Sequence, residues 1–162
     1  MTTYTPKRFA VDKMLGKLAK WLRILGYDAY YSNKIEPAIL LSIAISENRI
    51  VLTRNHKWLK RKYNIPVILI HSDKVDEQLR ELNARIPLSI DDFFTRCPIC
   101  NIKTFPIDKE RVKRLVPPYV YHMHDKFTHC IRCGRVYWAG THITHAQEWL
   151  KSIGIYKDKI GE

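Results

Sequence analysis

Two CxxC pairs, Cys97-Pro98-Ile99-Cys100 and Cys130-Ile131-Arg132-Cys133, use every cysteine in the chain and constrain its fold more than any other feature. A CxxC turn holds two sulfurs side by side, and two such turns can share one tetrahedral zinc ion. The 29 residues between the pairs are enough for the hairpins of a zinc ribbon. Gly134, directly after the second pair, lets the backbone turn toward the thiolates. A redox dithiol comes as a single CxxC beside the start of a βαβ unit, and a disulfide pair belongs to an oxidising compartment. The spacing therefore predicts one structural zinc on Cys97, Cys100, Cys130 and Cys133. Four thiolates close the coordination sphere, so this metal should organise the segment over residues 95–143 rather than catalyse. His122, His124, His129, His142 and His145 crowd the same segment. They suit alternative ligation, packing, or hydrogen bonds to phosphate and bases.

Upstream, over residues 1–94, short apolar strands alternate with amphipathic helices. Strands are predicted at Phe9-Ala10-Val11, Ala29-Tyr30-Tyr31, Ile50-Val51-Leu52 and residues 67–70. Leu15, Leu18, Ala19, Leu22 and Leu25 recur at helical spacing, with Gly26 as the stop. Pro37 opens a helix over residues 38–47 that is apolar nearly all round, predicting burial on two sides. Trp58 and Leu59 fall in a short basic helix, and Val75, Leu79, Leu82 and Ile86 mark another. Such alternation predicts an α/β unit with a parallel sheet and helices on both faces. Ligands then gather at the carboxyl ends of the strands, which directs attention to Asp12, the loop over residues 33–36, Asn55 and Asp73. Thr144-His145-Ala146-Gln147 reads as the start of a last helix, with the C-terminal helix and tail spanning residues 144–162.

The chain carries 28 Lys and Arg against 16 Asp and Glu, a net charge of +12 and a pI near 9.6. Residues 1–95 and 96–162 each hold a net +6, so the shorter part is the more densely charged. Such a balance favours a polyanion, because Lys and Arg release counterions from phosphates. Lys13, Lys17 and Lys20 form one ridge on the first helix, away from its leucines. Arg54, Lys57, Lys60, Arg61 and Lys62 cluster after the third strand. No apolar run is long enough to cross a bilayer, and the N-terminus lacks the apolar stretch of a signal peptide. A cytoplasmic location follows as the expectation, with RNA as partner and no membrane.

A metal-dependent nuclease needs carboxylates around Mg²⁺ or Mn²⁺. Asp12 and Glu36 each sit at a helix start, where an acid also serves as a cap or complements the helix dipole. The residues from Phe9 to Asp28, FAVDKMLGKLAKWLRILGYD, resemble the opening of the Mut-seven C-terminal RNase domain, a PIN-like family. Leu52-Thr53-Arg54-Asn55 is similar to its third-strand motif. Arg96 to Asn101, and Cys130 to His142, resemble its ribbon.

The resemblance spans roughly residues 8–150. It implies a PIN-like three-layer α/β/α sandwich with a parallel sheet, then a four-cysteine zinc ribbon and a C-terminal helix. It also implies an Mg²⁺- or Mn²⁺-dependent endoribonuclease acting on RNA such as rRNA or tRNA. Asp12 matches the first acid of the family, and Glu36 lies where the family places an acid before its second helix. Asn55 departs from the pattern, which ends in Asp here, so it brings an amide without charge. Asp73, after the fourth strand, is a further acid at that edge to which no motif assigns a role. The alternative implied by Asn55 is a catalytically impaired RNA-binding or ribosome-associated protein that keeps the fold.

Overall fold

The structure, a computed structural model, describes residues 7–156. The first six residues of the segment read as lacking a signal peptide, and the tail after Tyr156, lie outside the described residues.

Four short strands form a parallel sheet: β1 (Phe9–Val11), β2 (Ala29–Tyr31), β3 (Ile50–Thr53) and β4 (Val67–Leu69), in the order β2-β1-β3-β4. Their side chains alternate between two cores, as a pleated sheet covered on both faces requires. Phe9, Val11, Leu52 and Ile68 enter one core, while Ala10 and Val51 enter the other. The larger core is covered by α1 (Gly16–Ile24) and α3 (Val75–Arg85). The smaller is covered by α2 (Pro37–Ser46) and a 3-10 turn over His56–Lys60.

Each helix follows from its sequence. Leu18, Ala19 and Leu22 of α1 are buried, and a 3-10 turn at Lys13–Leu15 leads into it with Asp12 as its cap. Gly26 ends the helix region at φ +97°, and a Cβ there would lie 2.3 Å from the Asp92 carbonyl oxygen. Left-handed backbone and close approach both demand glycine.

The expectation of two-sided burial for α2 fails. Leu40 and Ala44 are buried, but Ile39 and Ile45 stay 54% and 53% exposed. A uniformly apolar helix carries no phase information. Here α2 forms an outer layer, so only one stripe meets the sheet.

Downstream lies a second, three-stranded antiparallel sheet of β5 (Phe105–Ile107), β6 (Phe127–His129) and β7 (Val136–Tyr137); the first cysteine turn precedes β5 and the second joins β6 to β7. The stretch between β5 and β6 is not a plain hairpin. It carries two short helices, α4 (Lys109–Val112) and α5 (Pro118–Met123), around a small core of Val112, Val116, Val120 and Phe127. Pro117 and Pro118 interrupt the periodicity that would have revealed them.

The last helix, α6 (Thr141–Ser152), starts three residues before Thr144, with Gly140 as N-cap and no side-chain cap. The reading of Thr144 as the start of this helix is therefore wrong, because a turn closed by Gly140 N–H to the Trp138 carbonyl starts the helix earlier. Leu150, Ile153 and Ile155 return to the larger core of the α/β unit. There Trp149 lies against Trp21, ring centroids 4.3 Å apart.

Candidate active site and metal centre

At the carboxyl end of β1, Asp12 is only 2% exposed. A buried carboxylate must be hydrogen-bonded, and both oxygens are. Oδ1 accepts the Lys13 backbone N–H at 2.8 Å, and Oδ2 accepts the Thr53 hydroxyl at 2.7 Å. Thr53 is fully buried at the end of β3, and its Oγ1 in turn accepts the Asn55 backbone N–H at 3.0 Å. The hydroxyl thus fixes both the carboxylate and the following turn. Thr53 is a site residue that sequence reasoning passed over, although it stands inside the third-strand motif.

The other acids of this edge are placed differently. Glu36 occupies the N-cap position of α2 through its backbone, and its exposed carboxylate makes no cap hydrogen bond. Asp73 is exposed in the loop between β4 and α3. Asn55 caps the 3-10 turn, its Oδ1 accepting the Lys57 N–H at 3.0 Å. Among the described residues no group of three acids or histidines around Asp12 brings its ligand atoms within 4.8 Å of one another. The donor set nevertheless suits Mg²⁺, which binds through one or two carboxylates and completes its shell with water and substrate phosphate.

Cations surround this edge. Lys13, Lys17 and Lys20 are exposed and form no ion pair among the described residues. Lys57 is exposed beside Asn55. Arg54 is half-buried, donates to the His71 carbonyl at 3.4 Å, and keeps a buried Nε with no partner.

The cysteines assemble as their spacing predicts. The four sulfurs all lie within 4.8 Å of one another, and Cys97 and Cys133 are 3.8 Å apart. A tetrahedron with Zn–S bonds of about 2.3 Å has an edge of roughly 3.8 Å. The two turns repeat one backbone design. In each, the residue four after the first cysteine is left-handed, Asn101 at φ 59° and Gly134 at φ 76°. Its N–H returns to the first cysteine's carbonyl, at 2.9 Å from Asn101 and 2.8 Å from Gly134. Asn and Gly are the residues that tolerate this conformation.

Without a cation four crowded thiols cannot ionise together. Burial, then hydrogen bonds with Cys133 and Cys130, push the Cys100 thiol up to about 12. Hydrogen bonds from the Arg135 backbone and side chain hold Cys133 down to about 6. The Tyr137 hydroxyl lies 3.0 Å from the Cys97 sulfur, where it can support a thiolate. The histidines of this region stand outside the cluster.

A buried clamp joins the first cysteine turn to the sheet. Arg23 donates to the Ala29 carbonyl at 2.9 Å and to the carbonyls of Pro98 and Ile99 at 3.1 and 3.3 Å. Asn101 receives the Ala29 N–H on its Oδ1 at 3.0 Å and donates to Asp28 at 2.8 Å. Asp28 also pairs with the buried Arg49 at 2.7 Å. Burial works to raise the Asp28 carboxyl, but the Arg49 and Asn101 hydrogen bonds outweigh it and hold the group below its ordinary range.

No helix among the described residues is long and apolar enough to cross a membrane. Comparison with curated proteins and with solved structures returned no match. A family model for the Mut7-C RNase domain, by contrast, matches residues 7–150, which takes in Asp12, Glu36, Asn55 and all four cysteines. The chain belongs to the Mut7-C RNase domain family.

Proposed function

We propose that this protein is an RNA-binding endoribonuclease of PIN-like type that hydrolyses phosphodiester bonds at the carboxyl edge of its parallel sheet. One observation carries the reading. A buried carboxylate, Asp12, is locked by Thr53 at a strand end and flanked by the unpaired ridge of Lys13, Lys17 and Lys20. Mg²⁺ or Mn²⁺ bound by Asp12 and Glu36 would supply an activated water and neutralise charge on the phosphate. Asp73 lies on the same loop edge and can add charge, while Asn55 shapes the turn. Lys13, Lys17, Lys20, Arg54 and Lys57 hold the RNA backbone. The cysteine centre takes one zinc and keeps the ribbon folded. A cytoplasmic protein acting on rRNA or tRNA fits this chemistry.

The test is cleavage of a labelled RNA with and without chelator. Asp12→Asn should abolish cleavage while leaving zinc content and the circular dichroism spectrum unchanged, with the thermal transition lowered because the amide accepts only one of the two hydrogen bonds that Asp12 accepts. Cleavage that persists in that variant would falsify the assignment of the site. A second reading is favoured by one feature: Asn55 brings no charge where the family pattern has an acid. On that reading the protein is an impaired enzyme retained for RNA binding or for work on the ribosome. Tight RNA binding with no cleavage by the wild type would select it.

A further inference from the structure

Between the first turn of α2 and the segment from Asn55 to Tyr63 lies a groove of about 410 Å³, within the range of roughly 300–1,000 Å³ that holds small ligands. Its lining divides by chemistry. Half-buried Leu41 and Tyr63 give an apolar and aromatic wall, and Trp58, buried behind them in the core, backs Tyr63 with ring centroids 5.5 Å apart. Lys57, Lys60 and Arg61 form an exposed cationic rim, and none of them enters an ion pair among the described residues. Among the described residues no carboxylate lines the groove.

Asn55 also lines it, and its orientation is chemically fixed. The atom facing the Lys57 N–H must be the oxygen, because a donor cannot face a donor. Nδ2 therefore points elsewhere and has two donors that no hydrogen bond among the described residues uses. Asn55 is tied to Asp12 through Thr53 by two hydrogen bonds. The groove consequently adjoins the candidate site rather than standing apart from it.

We infer that this groove is a nucleotide subsite, taking one unstacked base of the RNA beside the scissile phosphate at the Asp12 edge. A flat base lies against the aromatic wall, the rim neutralises the flanking phosphates, and the Asn55 amide donates to a base carbonyl or ring nitrogen. Base–aromatic stacking needs a base free of its own helix. The substrate is accordingly RNA that is single-stranded or looped at this point, not continuous duplex. Asn55, the departure from the family pattern, acts here as a base-contacting amide. The inference rests on the RNA reading above, and the experiment separates the failure of one from the failure of the other.

The measurement is the dissociation constant of the full zinc-loaded chain for a labelled unpaired RNA 12-mer and for a duplex of the same length. The variants are Tyr63→Ala, Asn55→Asp and the doubly substituted Lys60→Ala/Arg61→Ala. Asn55→Asp preserves the cap, because a carboxylate oxygen still accepts the Lys57 N–H, but it removes both donors and adds charge. The Lys60 and Arg61 side chains are exposed, so that variant folds even if Tyr63→Ala does not. Zinc content and circular dichroism check each protein. Each variant should weaken binding of the unpaired RNA on the order of 10-fold and change duplex binding by no more than about twofold. Wild-type affinity for unpaired RNA retained in all three variants overturns the subsite and leaves the RNA reading standing. Equal losses on both RNAs also overturn it, because the rim is then a general electrostatic face. Failure of the wild type to bind either RNA overturns both readings.

Discussion

The sheet-bearing part and the cysteine-bearing part of this molecule are held together by different physics. The first buries a core running from Phe9 through Leu22 and Leu82 to Ile155, enough apolar surface to support a fold by hydrophobic burial. The second has, among the described residues, a cluster of four buried apolar side chains, Val112, Val116, Val120 and Phe127, and four sulfurs gathered at one point. A core that small cannot offset the conformational entropy of ordering the segment. The four clustered cysteines could supply the missing stability by holding one metal ion. The comparison teaches where each part is vulnerable: one to cavities, the other to loss of an ion.

The largest expected effect breaks the second part alone. Cys97→Ser with Cys130→Ser, or stripping by a strong chelator, should remove on the order of 10 kcal/mol from the cysteine segment. Hydrogen exchange should then show lost amide protection over residues 96–137 while β1 and β3 stay protected. If the sheet loses protection in step, the two parts are not separately supported.

Leu22→Ala probes the opposite side. Leu22 is fully buried between α1 and the sheet, and its truncation should cost about 3 kcal/mol of global stability. Zinc content should remain at one per chain. Loss of zinc in this variant would mean that the cysteine segment depends on the core for its shape.

The joint between the parts comes next. Asp28→Ala takes one of the two carboxylate partners from the buried Arg49, which keeps Glu47, and frees Asn101, at a cost of about 2 kcal/mol. The sign of the pH dependence follows from the lowered Asp28 carboxyl. Its stabilisation is complete above the unfolded value near ~3.9 and is lost as pH falls through the still lower folded value. Urea melts from neutral pH downward should therefore show wild type and variant converging only in strong acid. A stability difference that does not shrink there would assign the effect to packing.

Charge reversal on the ridge should have the smallest effect on the fold. Lys13, Lys17 and Lys20 changed together to Glu should move stability by only about 0.5 kcal/mol, since none has a partner among the described residues. RNA affinity should fall, and the slope of log affinity against log salt should flatten by roughly 2 to 3. Unchanged affinity would leave the ridge as a solvated face.

How much of this was legible beforehand depended on the range of the interaction. Phe9–Val11, Ala29–Tyr31 and α1 are legible because their signals are local, a short apolar or aromatic run for each strand and a leucine period for the helix. The helices of the cysteine segment, α4 and α5, were missed because each is too short to display a period. For α2 the helix was right and its surroundings were wrong, since composition states that residues are apolar but not how many neighbours will cover them.

By itself the sequence determined the βαβ alternation, the meeting of two CxxC turns, the glycines at Gly26 and Gly134, and the lysine ridge. Each is set by spacing of a few residues. Only the tertiary structure decided that Thr53 would orient Asp12 across 41 positions, that Arg23 would reach 75 positions to the Pro98 carbonyl, and that Glu36 and Asp73 would stay exposed. Hydrogen bonds of that reach leave no periodic trace in the chain, because their partners become neighbours only once the sheet has set its strand order.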